Sequence, residues 1–379
     1  MMIDRRDFLR GAAGLALPFL RRQAWGQAAS VGRKFAPVKV ARERIIREVV
    51  GLRPYRDEGY VVRAEKAGGK LLVHHYGHGG AGITLSWGTA EEAVGLVRGF
   101  EFPVIRSRAR RSFAVIGCGV IGLTTALLLQ RQYRDAAVTI YSKDLPPNTT
   151  SNIAGGFWSP TSLFDQDEVT PEWITSFRRS CRTANDAFQK LIGKGYGVRW
   201  IDTFNLYRAE MSIGGELPGG NDLFPNMRFH RDPATYFGFP IVREYRTMMI
   251  EPHIYLAKLM RDFRAAGGKI LIRDFKSQDE IMRLPQPVIF NCTGLGARAL
   301  FNDEKLTPAR GQLAILRPQP EVDYCYLGPG YMFPRSDGIV LGGTFERDNW
   351  STEVSRETTD GFMNTHGSIM NGLRQTVGK

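Results

Sequence analysis

The segment GCGVIG (117–122) is the part of this sequence whose residue types and spacing point most directly to chemistry. Its glycines follow the G-x-G-x-x-G spacing: the first permits a tight turn, the second lets the backbone approach a pyrophosphate, and the third lets a helix pack on a strand. Asp144 lies near the distance of about 20 residues expected for an acid that binds a ribose hydroxyl. The predicted dinucleotide-binding residues are Gly117, Gly119, Val120, Ile121, Gly122 and Asp144. The spacing does not distinguish FAD from NAD.

Local patterns predict the elements that hold this loop. The apolar runs 113–116 and 138–141 are strand-like, and LTTALLLQRQ between them has the composition of a buried helix. Two short strands joined by an Ala-Gly-Gly turn are predicted within 53–76. Further strands are predicted at 269–273, 287–291, 312–317 and 338–345, and helices at 171–194, 251–266 and 351–379.

Three histidines in HHYGHGG (74–80) raise the possibility of a metal site. The residues between His74, His75 and His78 are tyrosine and glycine, and no nearby carboxylate or cysteine completes a set of four ligands. We therefore predict no metal site.

Composition restricts the class of protein. The chain has 379 residues, of which 43% are hydrophobic and 23% charged, as in a globular protein with a large core. The formal net charge is +13, but no long basic run or basic stripe with interleaved aromatics is present, so we predict no nucleic-acid binding. Beyond the first thirty residues no apolar run is long enough to predict a membrane span. The four cysteines are scattered and fit neither a metal knuckle nor a small disulfide framework.

The first residues predict export. DRRDFLR (4–10) precedes the short apolar run GAAGLALPFL, a combination that resembles a twin-arginine signal peptide. We expect a signal peptide at 1–28, the twin-arginine export machinery as a partner, and a periplasmic or secreted protein. An amphipathic N-terminal helix is the alternative.

Further motifs occur together with the glycine loop. They are RPYR (53–56), HHYGHGGAGIT (74–84), TTSNIAGGFW (149–158), FNCTGLGA (290–297), ARGQ (309–312), GYMFPR (330–335) and GIVLGGTFERDNW (338–350). As a set they resemble the D-amino acid oxidase family of flavoproteins, across most of 40–99 and 112–350.

The order of these motifs differs from the family's order. In the family the segments of the form R-P-x-R and H-x-Y-G-H-G-G lie near the C-terminus, whereas here they precede the glycine loop. The resemblance therefore implies a circular permutation, in which 36–99 completes the FAD and substrate sites and 100–111 is a linker. We then expect the end of the chain to lie beside residues 36–45, because the termini of domains are often close together.

The resemblance implies an α/β fold with two domains. A Rossmann-like FAD-binding domain is expected at 112–160 and 250–300, with a contribution from 45–99. A substrate domain built on a largely antiparallel sheet is expected at 161–249 and 301–350.

The resemblance also implies roles for individual residues. Arg53 matches an arginine that binds the substrate carboxylate, a role that suits the forked guanidinium. Tyr331 matches a tyrosine that contacts the same carboxylate, and Gly80 matches a glycine whose carbonyl accepts from the substrate amine. Further cofactor-binding matches are Gly79, Thr84, Thr149, Thr150, Ser151, Gly155 and Gly156. Leu327 and His75 depart from common family residues, and Arg335 has no assigned role.

The activity implied is oxidation of a D-amino acid by non-covalent FAD and O2 to a 2-oxo acid, ammonia and hydrogen peroxide, with no catalytic acid or base. Flavin-dependent amino acid dehydrogenase, D-aspartate or glycine oxidase, and a flavin-binding protein without turnover are the alternatives. The sequence leaves the oligomeric state open.

Overall fold

A computed structural model describes residues 34–101, 111–231 and 236–373. Within these ranges the strands form one sheet of nine strands and one of six. The predicted signal peptide, 1–28, and most of the predicted linker, 100–111, lie outside the described residues.

The six-stranded sheet carries the glycine loop. Its strand order is β2-β3-β10-β4-β5-β9, and the pairs among β3, β10, β4, β5 and β9 are parallel. The strands are β2 (Val61–Ala67), β3 (Lys70–Tyr76), β4 (Ser112–Ile116), β5 (Ala137–Ser142), β9 (Lys269–Ile272) and β10 (Val288–Asn291). The apolar runs predicted as strands around the loop are β4 and β5, and both are almost fully buried, as expected for parallel strands covered by helices.

The nine-stranded sheet is largely antiparallel. Its order is β1-β11-β14-β13-β12-β6-β8-β7, with β15 paired to β11 and one parallel pair, β12 with β6. The strands are β1 (Ile45–Tyr55), β6 (Val198–Tyr207), β7 (Arg228–His230), β8 (Ile241–Ile250), β11 (Thr307–Leu316), β12 (Tyr324–Leu327), β13 (Tyr331–Arg335), β14 (Gly338–Gly342) and β15 (Glu346–Arg347). The α/β fold expected from the sequence is therefore confirmed.

The early segment 45–99 is divided between the two sheets. Strand β1 pairs with β11 in the large sheet, whereas β3 pairs with β10 in the small one. The segment expected to complete both the FAD and the substrate site thus contributes strands to both sheets. In the nine-stranded sheet, β1 pairs with β11 over ten residue pairs.

The helices cover the sheets and correct several predicted boundaries. They are α1 (Gly82–Gly95), α2 (Val120–Gln132), α3 (Thr150–Ile153), α4 (Pro171–Gln189), α5 (Pro252–Ala265), α6 (Gln278–Met282), α7 (Gly296–Leu300) and α8 (Arg356–Asn371). The helix predicted at 171–194 ends at Gln189, after which the backbone changes to turns, with the Leu191 N–H donating to the Phe188 carbonyl and the Ile192 N–H to the Gln189 carbonyl. The C-terminal helix starts only at Arg356, where the Ser355 hydroxyl caps it by accepting from the Thr358 N–H.

Helix α8 packs against the start of the described chain. The Val38 N–H donates to Met370 Sδ at 3.2 Å, and Arg42 forms an ion pair with Asp360. Phe35 and Val38 share one buried cluster with Ile369. In the described part of the chain, no helix has the length and apolar character needed to cross a membrane.

Candidate functional site

The glycine loop joins β4 to α2. Gly117 has φ +113°, and a Cβ there would lie 2.3 Å from the Cys292 carbonyl oxygen. A Cβ at Gly122 would lie 2.0 Å from the carbonyl oxygen of Gly117, so only glycine lets the helix pack this closely on the strand. The N-terminus of α2 is thereby held at the carboxyl ends of β4, β5 and β10.

This helix N-terminus suits a pyrophosphate. The first N–H groups of a helix have no carbonyl partner within it and carry partial positive charge. The Val120 N–H donates to Ser151 Oγ at 3.0 Å, which ties α3 to the loop, and a Cβ at Gly119 would lie 3.2 Å from the same oxygen. Ile121 and Gly122 complete the first turn. The residues present therefore fit the phosphates of a dinucleotide.

Asp144 follows β5, where an acid that binds ribose is expected. Its side chain is about half exposed and lies 3.8 Å from Lys143 Nζ. Ser142 Oγ donates to the Asp144 carbonyl at 2.7 Å and accepts from the Cys118 N–H at 3.1 Å. Ser142, which the sequence analysis did not single out, thus fixes the end of β5 to the glycine loop.

The segment 149–156 lies between the two sheets. Thr149 Oγ1 donates to Asn152 Oδ1 at 2.8 Å at the start of α3, the helix that includes Thr150. A Cβ at Gly155 would lie 2.9 Å from the Phe333 ring, and one at Gly156, where φ is +86°, would lie 2.1 Å from the Ile250 carbonyl oxygen. Close packing therefore requires glycine at both positions.

The segment that contains the histidines and glycines, 74–84, contacts the loop 159–162, which follows 149–156 in the chain. A Cβ at Gly79 would lie 2.4 Å from the Ser162 carbonyl oxygen, to which the Gly80 N–H donates at 2.7 Å. Thr84 Oγ1 donates to the Ser159 carbonyl at 3.2 Å and accepts from the Ser159 N–H at 3.3 Å. All three predicted residues therefore contact 159–162, and Gly80 makes this contact through its N–H, not through the carbonyl predicted to accept from the substrate amine.

The three histidines of this segment are buried, and two of them, His75 and His78, are hydrogen-bonded to threonines. His75 Nδ1 lies 3.0 Å from Thr125 Oγ1, and His78 Nε2 lies 3.0 Å from Thr89 Oγ1. Burial lowers the pKa of His78 to about 3 and that of His75 well below its ordinary value, so both rings are neutral at pH 7. Among the described residues, no group of His, Cys, Asp and Glu side chains could hold a metal ion.

Arg53 and Tyr331 converge although β11 and β14 separate their strands. They meet because the intervening strands carry glycines. A Cβ at Gly311 of β11 would lie 2.1 Å from Arg53 Nη1, and a Cβ at Gly342 of β14 would lie 2.4 Å from the Tyr331 ring. The guanidinium and the phenol thus lie across a floor formed by Gly311 and Gly342. Gly311 lies in the motif ARGQ and Gly342 in GIVLGGTFERDNW, but no local pattern singles out either glycine.

This pair offers a positive charge and a neutral hydroxyl to an anion. Arg53 Nη1 donates to the carbonyls of Ala309 and Thr344 at 3.4 and 3.2 Å. Within the described residues, Arg53 has no carboxylate in ion-pair contact. Burial raises the pKa of Tyr331, an effect that the neighbouring Arg53 guanidinium opposes, so the phenol stays protonated at neutral pH.

Aromatic rings border the pair, and one of them comes from the segment that follows α3. The Phe333 ring stacks between Tyr331 and Phe157, with centroid distances of 4.7 and 4.9 Å. The Phe345 ring lies 5.7 Å from the Arg53 guanidinium carbon. The two predicted sites are therefore continuous, because Phe157 belongs to the segment that follows α3.

Arg335 is a structural residue. Its side chain is buried, with Nε and Nη2 donating to Asp337 at 2.7 and 2.6 Å and Nη1 donating to the Ala154 carbonyl at 2.9 Å. It fastens the segment after α3 to the β13–β14 hairpin, and its donors are not free to bind a substrate.

Comparison with known proteins agrees with this two-sheet flavin-type architecture. Residues 112–375 match the family described as FAD dependent oxidoreductase, which is more than half of the chain. The chain belongs to this family of FAD-dependent oxidoreductases, and FAD is its cofactor.

Two relatives and one solved structure illustrate the similarity. A D-amino acid oxidase of Dugesia ryukyuensis is 29% identical over 275 residues, covering 69% of this chain and 78% of the relative. A D-amino-acid oxidase of Rubrobacter xylanophilus is 29% identical over 293 residues, covering 71% and 80%. The structure of glycine oxidase from Bacillus cereus has a TM-score of 0.51 at 15% identity, covering 70% of this chain and 80% of that chain, which shows the fold alone.

Proposed function

We propose that this protein oxidises D-amino acids to 2-oxo acids, ammonia and hydrogen peroxide, using FAD and O2. The observation that carries the proposal is Arg53, a partly buried guanidinium beside the Tyr331 hydroxyl with no carboxylate partner among the described residues. A buried cation of this kind is stabilised by an anionic ligand. Strand β1 also packs on α3, since a Cβ at Gly51 would lie 3.0 Å from Ile153. The anion site formed by Arg53 and Tyr331 therefore adjoins α3, which is tied to the glycine loop.

In this reaction the side chains bind and orient the substrate. The Arg53 fork binds the α-carboxylate, and the Tyr331 hydroxyl donates to the same group. The Gly80 carbonyl accepts from the amine, which fixes the orientation of Cα. FAD bound at this site would supply the acceptor for the hydride that leaves Cα, with O2 as the final electron acceptor. The substrate amine loses a proton to solvent before the hydride leaves, and the resulting iminium is released and hydrolysed to the 2-oxo acid and ammonia, so no catalytic side-chain acid or base is required.

Anaerobic reduction tests the proposal. We expect the purified yellow protein to bleach when D-alanine is added without oxygen and to form peroxide in air. Arg53→Ala raises KM by a factor of about 100 or more, because truncating a buried charge pair costs about 2–5 kcal/mol. Protein that stays yellow with every D-amino acid would refute the proposal. Bleaching without peroxide in air would favour a dehydrogenase, and turnover confined to D-aspartate or glycine would favour those oxidases.

We also propose that the chain is circularly permuted relative to the family. The contact of Val38 with Met370 supports this, as does the position of Arg53 outside the matched range 112–375 yet beside Tyr331. The proposal is tested with a rearranged chain. This chain starts at residue 112 and runs to 373, continues through a short linker to residue 34, and ends at 99. We expect it to fold, bind FAD and keep the KM for D-alanine. Loss of folding would contradict the proposal.

We further propose export of the folded holoprotein through the twin-arginine system. The support is the DRRDFLR motif with its apolar run, within residues 1–33 that the structure does not describe. Replacement of Arg5 and Arg6 by lysine is expected to keep the active protein in the cytoplasm. Unchanged recovery outside the cytoplasm would contradict this route.

A further inference from the structure

One cross-strand row of the large sheet leads from Tyr331 to a group of polar side chains. Tyr331 pairs with Leu327, Leu327 with Asn205, and Asn205 with Arg243. Directly paired residues point to the same face of a sheet, so these four side chains share one face. Because neighbouring strands are about 4.8 Å apart, Asn205 lies roughly 10 Å from Tyr331 along the row.

This row is partly open. Tyr331, Leu327 and Asn205 are each partly exposed, whereas Phe204 and Leu206, the neighbours of Asn205 on β6, are buried. The ring of Tyr331 leans toward β14 and away from β12, since a Cβ at Gly343 would lie 2.1 Å from its hydroxyl oxygen. The Tyr331 ring therefore points away from Leu327, whose side chain is partly exposed.

The far end of the row presents hydrogen-bond donors. Asn205 Nδ2 donates to the Tyr207 hydroxyl at 3.3 Å, and Asn205 Oδ1 accepts from the Tyr245 hydroxyl at 3.2 Å. A carboxamide nitrogen carries two hydrogens, so the second N–H of Asn205 is available to a ligand. Because its oxygen already accepts one hydrogen bond, Asn205 can still donate this second N–H to an accepting group of a ligand.

Arg243 gives this end of the row a positive charge. It is 5% exposed, and its guanidinium lies over the rings of Tyr207 and Phe229 at 5.4 and 5.9 Å. Its Nη1 contact is the Gly215 carbonyl at 3.5 Å. Across the residues that the structure describes, Arg243 forms no ion pair. A buried cation without a carboxylate favours an anionic or oxygen-bearing ligand and disfavours another cation.

We propose that Leu327, Asn205 and Arg243 form the side-chain subsite and select D-amino acids whose long side chain ends in a carboxylate or carboxamide. This inference rests on the proposed function. With the α-carboxylate held between Arg53 and Tyr331, Leu327 packs on the side-chain methylenes and the Asn205 N–H donates to the terminal oxygen. D-Glutamate and D-glutamine have this chemistry, whereas the ammonium of D-lysine is repelled by Arg243.

Steady-state kinetics of the holoenzyme test the subsite. We expect kcat/KM for D-glutamate or D-glutamine to exceed that for D-norvaline, which has the same number of side-chain carbons, by about tenfold, and D-lysine to be poorer still. Asn205→Leu lowers the ratio of kcat/KM for D-glutamine to that for D-norvaline by about tenfold, because it removes the N–H that donates to the terminal oxygen. Leu327→Tyr lowers the kcat/KM for D-glutamate and D-glutamine relative to that for D-alanine, because the larger ring occupies the space between Tyr331 and Asn205. Asn371→Leu, at the exposed end of α8, is the matched control and keeps all ratios.

A binding measurement separates this subsite from turnover. Titration of the flavin spectrum with glutarate is expected to give a Kd about tenfold below that of pentanoate, and Asn205→Leu removes this difference. The subsite is overturned if the wild type prefers D-norvaline or D-lysine, or if the kcat/KM ratios are unchanged in Asn205→Leu. In either case, turnover of D-alanine leaves the proposed function standing. Turnover of no D-amino acid overturns the proposed function itself.

Discussion

A methyl group at position 311 is expected to weaken substrate binding without removing a charge. Gly311 lies beneath Arg53, and an added Cβ would lie 2.1 Å from Nη1 and 2.5 Å from Nη2. Non-bonded heavy atoms prefer separations of about 3.5 Å or more, so the guanidinium must move by more than about 1 Å. The end of a flexible side chain can make this movement, so we expect Gly311→Ala to fold and to bind FAD.

The expected loss follows from that displacement. Misplacing a positioning group by about 1 Å can reduce the rate by a factor of about 100, equivalent to about 2.7 kcal/mol. We expect kcat/KM for D-alanine to fall by about this factor, mainly through a higher KM, in a peroxide assay with protein matched for flavin absorbance. Gly367→Ala in α8 is the control, because a Cβ there meets no atom within 4 Å. A KM for Gly311→Ala within twofold of the wild type would refute the assignment of Arg53 to the α-carboxylate.

Four other changes test separate parts of the structure. Tyr331→Phe is expected to raise the KM for D-alanine about tenfold, since a hydrogen bond to a charged group contributes about 1.5–3 kcal/mol; an unchanged KM would exclude this contact. Asp337→Asn is expected to lower the free energy of unfolding by about 3 kcal/mol in urea, because the buried Arg335 loses its anionic partner. Gly119→Val is expected to yield colourless protein, since its side chain occupies the place where the backbone approaches the pyrophosphate; yellow protein would contradict this. Because the pKa of His78 is about 3 when folded and about 6.5 when unfolded, stability falls as pH drops between these values, by about 1.4 kcal/mol per pH unit for this group. His78→Gln is expected to flatten that dependence in urea titrations at pH 7 and 5.

The sequence predicted the segment around the glycine loop well because its signals are local. Strands β4 and β5 are short apolar runs, and the glycines between them have a recognisable spacing. The large sheet was harder to predict. Strand β6, for example, places Arg199 and Asp202 among apolar residues, and neither a helical nor an alternating pattern results.

The substrate site depends on strand register, which the sequence did not provide. Arg53 and Tyr331 were assigned through motifs, but their meeting depends on Gly311 and Gly342 in strands far along the chain. Asn205 carried no signal at all, since a single asparagine in a strand acquires meaning only from its cross-strand neighbours. The role of Arg335, left open by the sequence, became clear from its contacts with Asp337 and Ala154.

The pairing of β1 with β11 and of β3 with β10 has a consequence for biosynthesis. The strands that leave the ribosome early find their partners only when residues 288–316 have been translated. At translation rates of about 5–20 residues per second, strand β3 (Lys70–Tyr76) remains without its parallel neighbour β10 for roughly ten seconds or more. Because an unpaired strand edge promotes aggregation, slower growth at low temperature with added holdase is expected to raise the yield of active protein.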